Sequence, residues 1–217
     1  MTRFFAGGMC KTATILLIVL GLFIFWNGKA HAFDLDDFGD ILSDTLSVGA
    51  AYSTHLFLHE LGHQVVADEV GAEGHKMSFF TNKDGKFYPG LSQYKSIPEE
   101  SKLPYAAGGE RMAGYTFEFA LESYRKKPTT FNKALMLFSN FDFLAYSLLA
   151  NYVHPDDDYY DPNIIREETG ISKGALLSIV GAKTMLNAYR IVDEEANFRP
   201  EIILDKKMVG LGLRFTF

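Results

Sequence analysis

The chain has 217 residues, enough for one domain with a substantial core and an export segment. Its 21 lysines and arginines against 27 aspartates and glutamates give a formal net charge of −6, which argues against nucleic acid as a partner. The single cysteine, Cys10, excludes an intrachain disulfide and a multi-thiolate metal site.

Residues 1–32 have the three parts of a secretory signal peptide. Basic residues come first, an apolar run follows, and Ala30-His31-Ala32 gives the small-x-small pattern of a cleavage site. We therefore expect export to the periplasm or cell envelope, with cleavage after Ala32; without cleavage, the segment is an N-terminal membrane anchor. Because the segment holds three basic residues and no acid, its removal changes the net charge from −6 to −9. Residues 33–217 then form a single domain.

The first half of this domain predicts a long helix followed by a hairpin. Residues 33–42 space apolar side chains among acids, as in an amphipathic helix or an ordered lead-in. A helical pattern then runs from about residue 46 to residue 70 and stops at Gly71. Residues 76–91 contain two apolar stretches around Asn82-Lys83-Asp84-Gly85, which predicts a β-hairpin.

The second half predicts further helices and a second hairpin. Helical patterns with initiating or capping residues cover residues 105–125, 131–153, 161–170 and 172–192. The tail, residues 201–217, predicts a hairpin, and within it residues 210–217 alternate small or polar with apolar side chains up to Phe217. The predicted fold is therefore mainly α, a helical bundle around the helix of His59 and His63, with two small β-hairpins.

The helix of residues 131–153 is long and nearly uncharged, so it either crosses a membrane or lies at the centre of the bundle. The preceding helix carries the charged residues Glu110, Arg111, Glu118 and Glu122. A lipid-facing bundle would be more apolar than this. We therefore expect a soluble or membrane-associated bundle with residues 131–153 as its buried centre.

Residues 59–63, HELGH, form an H-E-x-x-H motif inside the first helical pattern. Helical residues four apart are rotated by only about 40°, so His59 and His63 point the same way and can bind one ion. Neutral imidazoles suit Zn²⁺, and a water bound to zinc loses a proton near neutral pH. Glu60 lies close enough to take that proton. The motif therefore predicts a zinc site with Glu60 as the catalytic base.

A catalytic zinc usually has three protein ligands, and no third histidine follows the motif at short spacing. Two carboxylates have apolar or small neighbours: Glu110 shares a helical face with small residues, and Asp142 lies in a helix with almost no polar face. A buried carboxylate needs a cation or hydrogen bonds. We expect one of them to be the third ligand and the other to lie beside a ligand. Either could instead be a structural carboxylate paired with Arg111 or Arg190.

The lengths of the two helices place these carboxylates at one level. If the helices turn near Lys127, Glu110 lies about 17 residues before the turn and Asp142 about 15 after it. At 1.5 Å per residue these are roughly 25 and 22 Å from the turn. Both carboxylates are therefore expected in the layer of the two histidines.

Other polar residues are weaker candidates. His55 lies one turn before His59 and is either part of the site or a hydrogen-bonded core residue. His75, His154 and the run of residues 156–158 are the remaining candidates for a third ligand. The acids of residues 154–162 match no calcium-binding loop, so we expect a solvated loop there.

Three stretches resemble, in order, the site-2 protease family of zinc metallopeptidases. HELGHQVVADEVGAEGHKMSFF (residues 59–80) resembles that family's histidine helix and the strand after it. YAAGGERMAGY (residues 105–115) resembles its second helix, and KALMLFSNFDFLAYSLL (residues 133–149) resembles its third, which carries the family's aspartate ligand. The resemblance implies zinc-dependent peptide hydrolysis with Asp142 as the third ligand. A loose likeness of ERMAG to the glutamate helix of gluzincins keeps Glu110 as the alternative.

The sequence thus predicts an exported zinc metalloendopeptidase that acts on a protein or peptide substrate and has a possible membrane association. Tyr146, Tyr115 and His55 are candidates to stabilise the oxyanion. The alternative is a non-catalytic envelope or outer-membrane-associated protein that retains the fold, because the alternation that ends at Phe217 resembles the last strand of an outer-membrane barrel. The intact Glu60 favours the enzyme.

Overall fold

The described part of the chain comprises residues 35–155 and 157–215 of a computed structural model, with side chains from residue 39 onward. The predicted signal peptide or anchor of residues 1–32 lies outside the described residues, as does Phe217. The division into an export segment and one domain therefore stays a prediction.

The described residues form five α-helices and two β-hairpins. The helices are α1 (Leu35–Glu69), α2 (Lys102–Lys126), α3 (Thr130–Tyr152), α4 (Asp161–Thr169) and α5 (Lys173–Val192). The strands are the antiparallel pair β1 (Lys76–Lys83) and β2 (Lys86–Gln93), and the separate antiparallel pair β3 (Phe198–Asp205) and β4 (Met208–Phe215). The predicted mainly-α fold with two small hairpins is confirmed.

Helix α1 is longer than the sequence predicts. The expected lead-in and the motif helix form one continuous helix, because no proline interrupts residues 35–69. The helix ends where Gly71 adopts a φ of +67° and the N–H of Ala72 donates to the carbonyl of Ala67 at 2.8 Å. A glycine in this left-handed conformation is a common helix terminator.

The first hairpin has the turn that its sequence predicts. Asp84 and Gly85 have φ values of +51° and +77°, the left-handed values that a two-residue type I′ turn requires. Lys83 pairs with Lys86 on either side of this turn. Strand β2 packs along α1, which brings the hairpin to the H-E-x-x-H motif.

Helix α2 lies at the centre of the bundle and packs against α1, α3 and α4. Its buried face follows the helical period and consists mostly of small residues. The buried positions along this face include Ala106, Glu110, Ala113, Phe117 and Ala120. Small side chains let the neighbouring helices approach α2 closely, as the sequence predicts for Glu110 and its neighbours.

Helix α3 is not the buried centre that the sequence predicts. Phe141, Leu148 and Tyr152 are 47%, 45% and 70% exposed, whereas Ser139 and Ser147 face inward. The count of apolar residues misplaces α3 because several of its large apolar side chains lie on the outside of the bundle. Leu135, Met136 and Phe143 lie inside, together with several polar residues. Within the described residues, no helix combines the length and apolar character needed to cross a bilayer.

Three apolar clusters hold these elements together. The first includes Phe117, Leu135 and Met136, the second Ile165, Leu176 and Val180, and the third Val66, Ala67 and Tyr105. Ile202 and Leu204 of β3 pack against the second cluster, so the second hairpin lies on the helical domain. Burial of each large apolar side chain contributes about 1.5–3 kcal/mol to folding.

Helices α1 and α2 cross with almost no side chain between them. A Cβ on Gly108 would lie 2.6 Å from the carbonyl oxygen of Gly62, and a Cβ on Gly62 would collide with the carbonyl oxygen of Gly108. Both obstructing atoms belong to the backbone and cannot move aside as a side chain can. The crossing therefore requires glycine at both positions.

We predict that Gly62→Ala lowers the free energy of unfolding by about 1–3 kcal/mol, the usual range for an overpacked core. The matched control is Gly49→Ala in the same helix, where a Cβ would meet none of the described atoms within 4 Å. There, the better helix propensity of alanine should stabilise the protein by up to about 1 kcal/mol. Urea unfolding of both variants measures the difference, and equal stabilisation by both would contradict the close crossing.

Candidate metal centre

Three histidines of α1 face the interior of the bundle. His55, His59 and His63 follow one another at four-residue spacing, which keeps them on one side of the helix. They are 3%, 6% and 3% exposed. Their rings meet carboxylates from α3 and from the start of α4.

Three donor atoms converge at the Nε2 ends of His59 and His63. The two Nε2 atoms lie 3.3 Å apart, and Oδ2 of Asp161 lies 3.6 Å from Nε2 of His59 and 3.2 Å from Nε2 of His63. Zinc with bonds of about 2.0–2.1 Å and tetrahedral angles sets its ligand atoms about 3.3 Å apart. These three atoms, which we call the donor triangle, therefore have the dimensions of one face of a zinc tetrahedron.

Asp161 is the first residue of α4, where the positive end of the helix dipole favours a negative charge. It is 5% exposed. Burial raises the pKa of this carboxyl, but the His63 and His59 rings outweigh burial and hold the pKa below its usual value. The carboxylate is therefore charged at neutral pH, as a metal ligand must be.

The acidic loop before α4 differs from the solvated loop that the sequence predicts, because Asp157 and Asp161 are 3% and 5% exposed. Sequence reasoning assigns Asp161 only to the start of a helix, since it lies far from His63 along the chain and no local spacing connects them. The neighbours of Asp161 in the sequence are the signal that could have indicated its burial. Two tyrosines precede Asp161 and a proline follows it, and aromatic neighbours indicate burial.

Each histidine of the donor triangle has a contact at its second ring nitrogen, Nδ1. The Nδ1–H of His63 donates to the carbonyl of Tyr105 at 2.8 Å. Nδ1 of His59 lies 2.8 Å from Oδ2 of Asp142. Contacts at Nδ1 leave both Nε2 atoms to face Asp161, as is usual behind histidines that bind metals.

The contact of His59 with Asp142 is an ion pair. Burial lowers the pKa of His59, but Asp142 outweighs burial and the pKa lies well above its usual value. Burial in turn raises the pKa of Asp142, while His59 and His55 hold it well below its usual range. Among the described residues, neither His59 Nδ1 nor Asp142 Oδ2 has a partner with hydrogen-bond geometry. Oδ1 of Asp142 lies 3.2 Å from Nε2 of His55.

His55, His59 and Asp142 form a second group that has the composition of a metal site. The 2.8 Å between His59 and Asp142 is the length of a charge-assisted N···O contact. It is shorter than the separation of about 3.3 Å between two ligands of a tetrahedral zinc. We therefore interpret Asp142 as the support of His59, and the donor triangle as the better site for an ion.

Glu110 does not point into the donor triangle but pairs with Lys183 of α5, and the two residues are 5% and 7% exposed. Burial raises the pKa of Glu110, while Lys183 acts to lower it, and the net shift is upward. The charge of Asp142 also acts to raise this pKa. Lys183 supplies the cation that a buried Glu110 requires, so Glu110 needs no metal ion.

The geometry favours a third ligand other than the two that the sequence predicts. His59 and His63 lie where the motif predicts, but neither Asp142 nor Glu110 occupies the third corner of the donor triangle. Asp161 occupies that corner. The sequence prediction differs from the geometry because two nearby groups, His59 and a lysine of α5, already satisfy the two predicted carboxylates.

A glycine of α2 leaves the space that an ion at the donor triangle would need. A Cβ on Gly109 would lie 2.6 Å from Nε2 of His63 and would collide with Nε2 of His59. Any side chain at this position would therefore enter the donor triangle. The small-residue face of α2 serves the site as well as the helix packing.

Glu60 lies beside the donor triangle, next to a small cavity. The cavity has a volume of about 20 Å³, and its lining includes Glu60, His63, Tyr146 and Asp161. The Oε2 atom of Glu60 is buried and has no hydrogen-bond partner among the described residues. A Cβ on Gly90 of β2 would collide with Oε1 of Glu60, so the first hairpin covers the motif helix closely.

The weaker candidates of the sequence lie elsewhere. His75 contacts Gln64 at 2.8 Å and Asp68 at 3.1 Å near the end of α1. His154 stacks on Tyr160 with ring centroids 5.1 Å apart. Asp157 binds residues of β2, and Asp156 lies outside the described residues. None of the described candidates contributes to the donor triangle.

The fold and the site define a mainly helical protein with a buried His-His-Asp triangle and a neighbouring glutamate. Comparison of the chain with protein-family models, curated proteins and solved structures finds no match. The geometry of the site is therefore the basis for any functional assignment.

We predict that Gly109→Ala prevents zinc binding although it removes no ligand, because its Cβ would enter the donor triangle. The matched control is Gly114→Ala in the same helix, where a Cβ would meet none of the described atoms within 4 Å. Metal content of the purified variants measures the effect, and circular dichroism checks that both are folded. Full zinc content in Gly109→Ala would place the ion elsewhere.

Proposed function

We propose that the chain is a zinc-dependent metallopeptidase in which His59, His63 and Asp161 bind the ion. The observation that carries this proposal is the donor triangle, with sides of 3.2 to 3.6 Å, next to Glu60. Two imidazoles and one carboxylate are a known donor set of catalytic zinc sites, which keep a fourth position open. The space left by Gly109 also supports the fit of an ion.

Zinc, when bound, supplies a Lewis acid that lowers the pKa of water and polarises a carbonyl group. The cavity between Glu60, His63 and Asp161 has room for about one water molecule. Oε2 of Glu60 has no partner among the described residues, so it can accept a proton from that water. The same carboxyl can then deliver the proton to the leaving amine, which is the role of a general base and acid in peptide hydrolysis.

Tyr146 is the best placed of the three candidates for stabilising an oxyanion. It lines the cavity, and its ring centroid lies 6.1 Å from that of His59. Burial raises the pKa of the Tyr146 hydroxyl well above its usual value, so the hydroxyl keeps its proton. That proton is donated to the carbonyl of Tyr159 at 3.2 Å, so the hydroxyl would have to turn from this carbonyl to donate to an oxyanion. Tyr115 is 70% exposed, and His55 is directed at Asp142.

Exposed apolar side chains favour a second candidate function, that of a non-catalytic envelope protein. The outer faces of α3 and of the second hairpin expose Phe141, Leu148, Leu213 and Phe215. Apolar surface of this kind suits association with a membrane or a partner protein. A non-catalytic protein would have no use for a buried Glu60 with an unpaired oxygen, which costs stability. We therefore place the peptidase first.

We predict that Glu60→Gln retains zinc but loses activity by roughly 10²-fold or more, because the amide cannot accept a proton. Hydrolysis of a fluorescently labelled unfolded protein measures activity, with Glu69→Gln, an exposed acid of the same helix, as control. Unchanged turnover in Glu60→Gln would remove this residue from the mechanism. A zinc-loaded wild type without activity would favour the non-catalytic alternative.

We also predict unequal effects of the three acids on metal content. Asp161→Ala should purify without zinc, because it removes a ligand from the donor triangle. Asp142→Ala should weaken zinc binding by about 10 to 100-fold, as expected for a group that supports a ligand. Glu110→Gln should keep zinc, since Glu110 binds Lys183. Retention of zinc in Asp161→Ala together with its loss in Asp142→Ala would restore Asp142 as the ligand.

A further inference from the structure

The segment from Asp157 to Asp161 ends in the third corner of the donor triangle and begins with a buried carboxylate. Oδ2 of Asp157 accepts hydrogen bonds from Nζ of Lys86 at 2.8 Å and from the hydroxyl of Tyr88 at 2.9 Å. Oδ1 accepts the backbone N–H of Tyr159 at 3.1 Å. We call this group of contacts the Asp157 clasp. It ties the segment to strand β2 of the first hairpin.

Aromatic rings extend the contact between the hairpin and the segment. The ring centroid of Tyr88 lies 5.9 Å from that of Tyr159 and 6.3 Å from that of Tyr160. Nζ of Lys83 lies 4.2 Å from the centroid of the Tyr159 ring. On the opposite side, Tyr160 packs against Tyr146 of α3 at 4.9 Å. The segment is therefore enclosed between β2 and α3.

The side chain of Asp161 has few contacts, although Ile165 anchors the same helix in the second apolar cluster. Among the described residues, its carboxylate contacts the rings of His59 and His63, which are the groups that it would join in binding an ion. Helix α4 has nine residues, a length that is marginal for an isolated helix. In its first turn, Asn163 Nδ2 donates to the carbonyl of Asp157 at 3.0 Å. The same Nδ2 donates to the carbonyl of His154 at 2.9 Å, so the start of α4 is joined both to the clasp and to the residues before it.

We propose that the Asp157 clasp positions Asp161 for metal binding, so that the first hairpin is a working part of the metal centre although it supplies no ligand. Lys86 and Tyr88 are then positioning residues, separated from Asp157 by 71 and 69 residues along the chain. The inference rests on the proposed function, because it requires the ion at the donor triangle. Groups that support a ligand in this way change metal affinity by about 10 to 100-fold.

The test measures zinc affinity of the full chain by competition with a chromophoric chelator. Tyr88→Phe removes one hydroxyl and keeps the ring, and Asp157→Asn removes the charge of the clasp. Both should bind zinc about 10 to 100-fold more weakly than the wild type. The matched control is Asp158→Asn, the exposed acid next to Asp157, which should bind zinc like the wild type.

A double-mutant cycle separates positioning from a general effect on folding. In an Asp161→Ala background, Tyr88→Phe should cause no further loss of the residual zinc affinity, because the clasp acts through Asp161. An equal loss in both backgrounds would overturn the proposal, as would unchanged affinity in both clasp variants. If the wild type itself binds no zinc, the proposed function fails and the clasp proposal fails with it. If the wild type binds zinc and both clasp variants bind it equally well, the proposed metal centre is retained and only the clasp proposal fails.

Discussion

The close approach of α1 and α2 is the constraint on which the site depends. Gly62 and Gly108 bring the two backbones into contact, and Gly109 leaves the space at the Nε2 atoms. The same approach lets a main-chain carbonyl of α2 accept the Nδ1–H of His63. A wider separation would therefore lose the packing of the two helices and the hydrogen bond that orients His63. In this bundle, the space for a ligand results from the absence of side chains and not from a separate cleft.

Pairing with lysine or arginine separates the acids around the site from other acids of the bundle, because Asp161, Asp142 and Glu60 have no such partner among the described residues. Glu110 binds Lys183, Asp157 binds Lys86, and Glu118 binds Arg190, so each acid is neutralised by a cationic side chain. Asp142 is balanced by histidines whose Nε2 or Nδ1 atoms turn to it. Within the described residues, the charged neighbours of Asp161 are the two histidines of the triangle. A buried carboxylate in this setting is best compensated by a cation shared with those rings.

Much of the fold could be predicted because its signals are local. Gly71 ends α1, Asp84 and Gly85 form the first turn, and the Thr129 and Ser172 side chains accept backbone N–H groups at the starts of α3 and α5. The spacing within H-E-x-x-H likewise places His59 and His63 without knowledge of the fold. These features depend on a few neighbouring residues and on backbone conformations that few residue types adopt.

The third corner of the site could not be predicted in this way, because it depends on contacts between distant parts of the chain. Burial of Glu110 is visible in the sequence, but its partner, Lys183 on α5, is not. Asp142 is only half-buried, with 26% of its side chain exposed. The resemblance to site-2 proteases favoured an aspartate on the third helix, whereas the geometry puts Asp161 at the start of the next one. The outward apolar face of α3 was missed for a similar reason, since period alone does not say which face meets the bundle.

The two histidines of the donor triangle differ in how easily a mutation can remove the contact at Nδ1. Nδ1 of His59 contacts a side chain, that of Asp142, which a single codon change can replace. Nδ1–H of His63 donates to the peptide carbonyl of residue 105, a group that every amino acid has. A substitution at position 105 therefore keeps this hydrogen bond, even where it disturbs the third apolar cluster. A substitution at position 142 can remove the support of His59 in one step, whereas that of His63 lasts as long as the backbone of α2 stays in place.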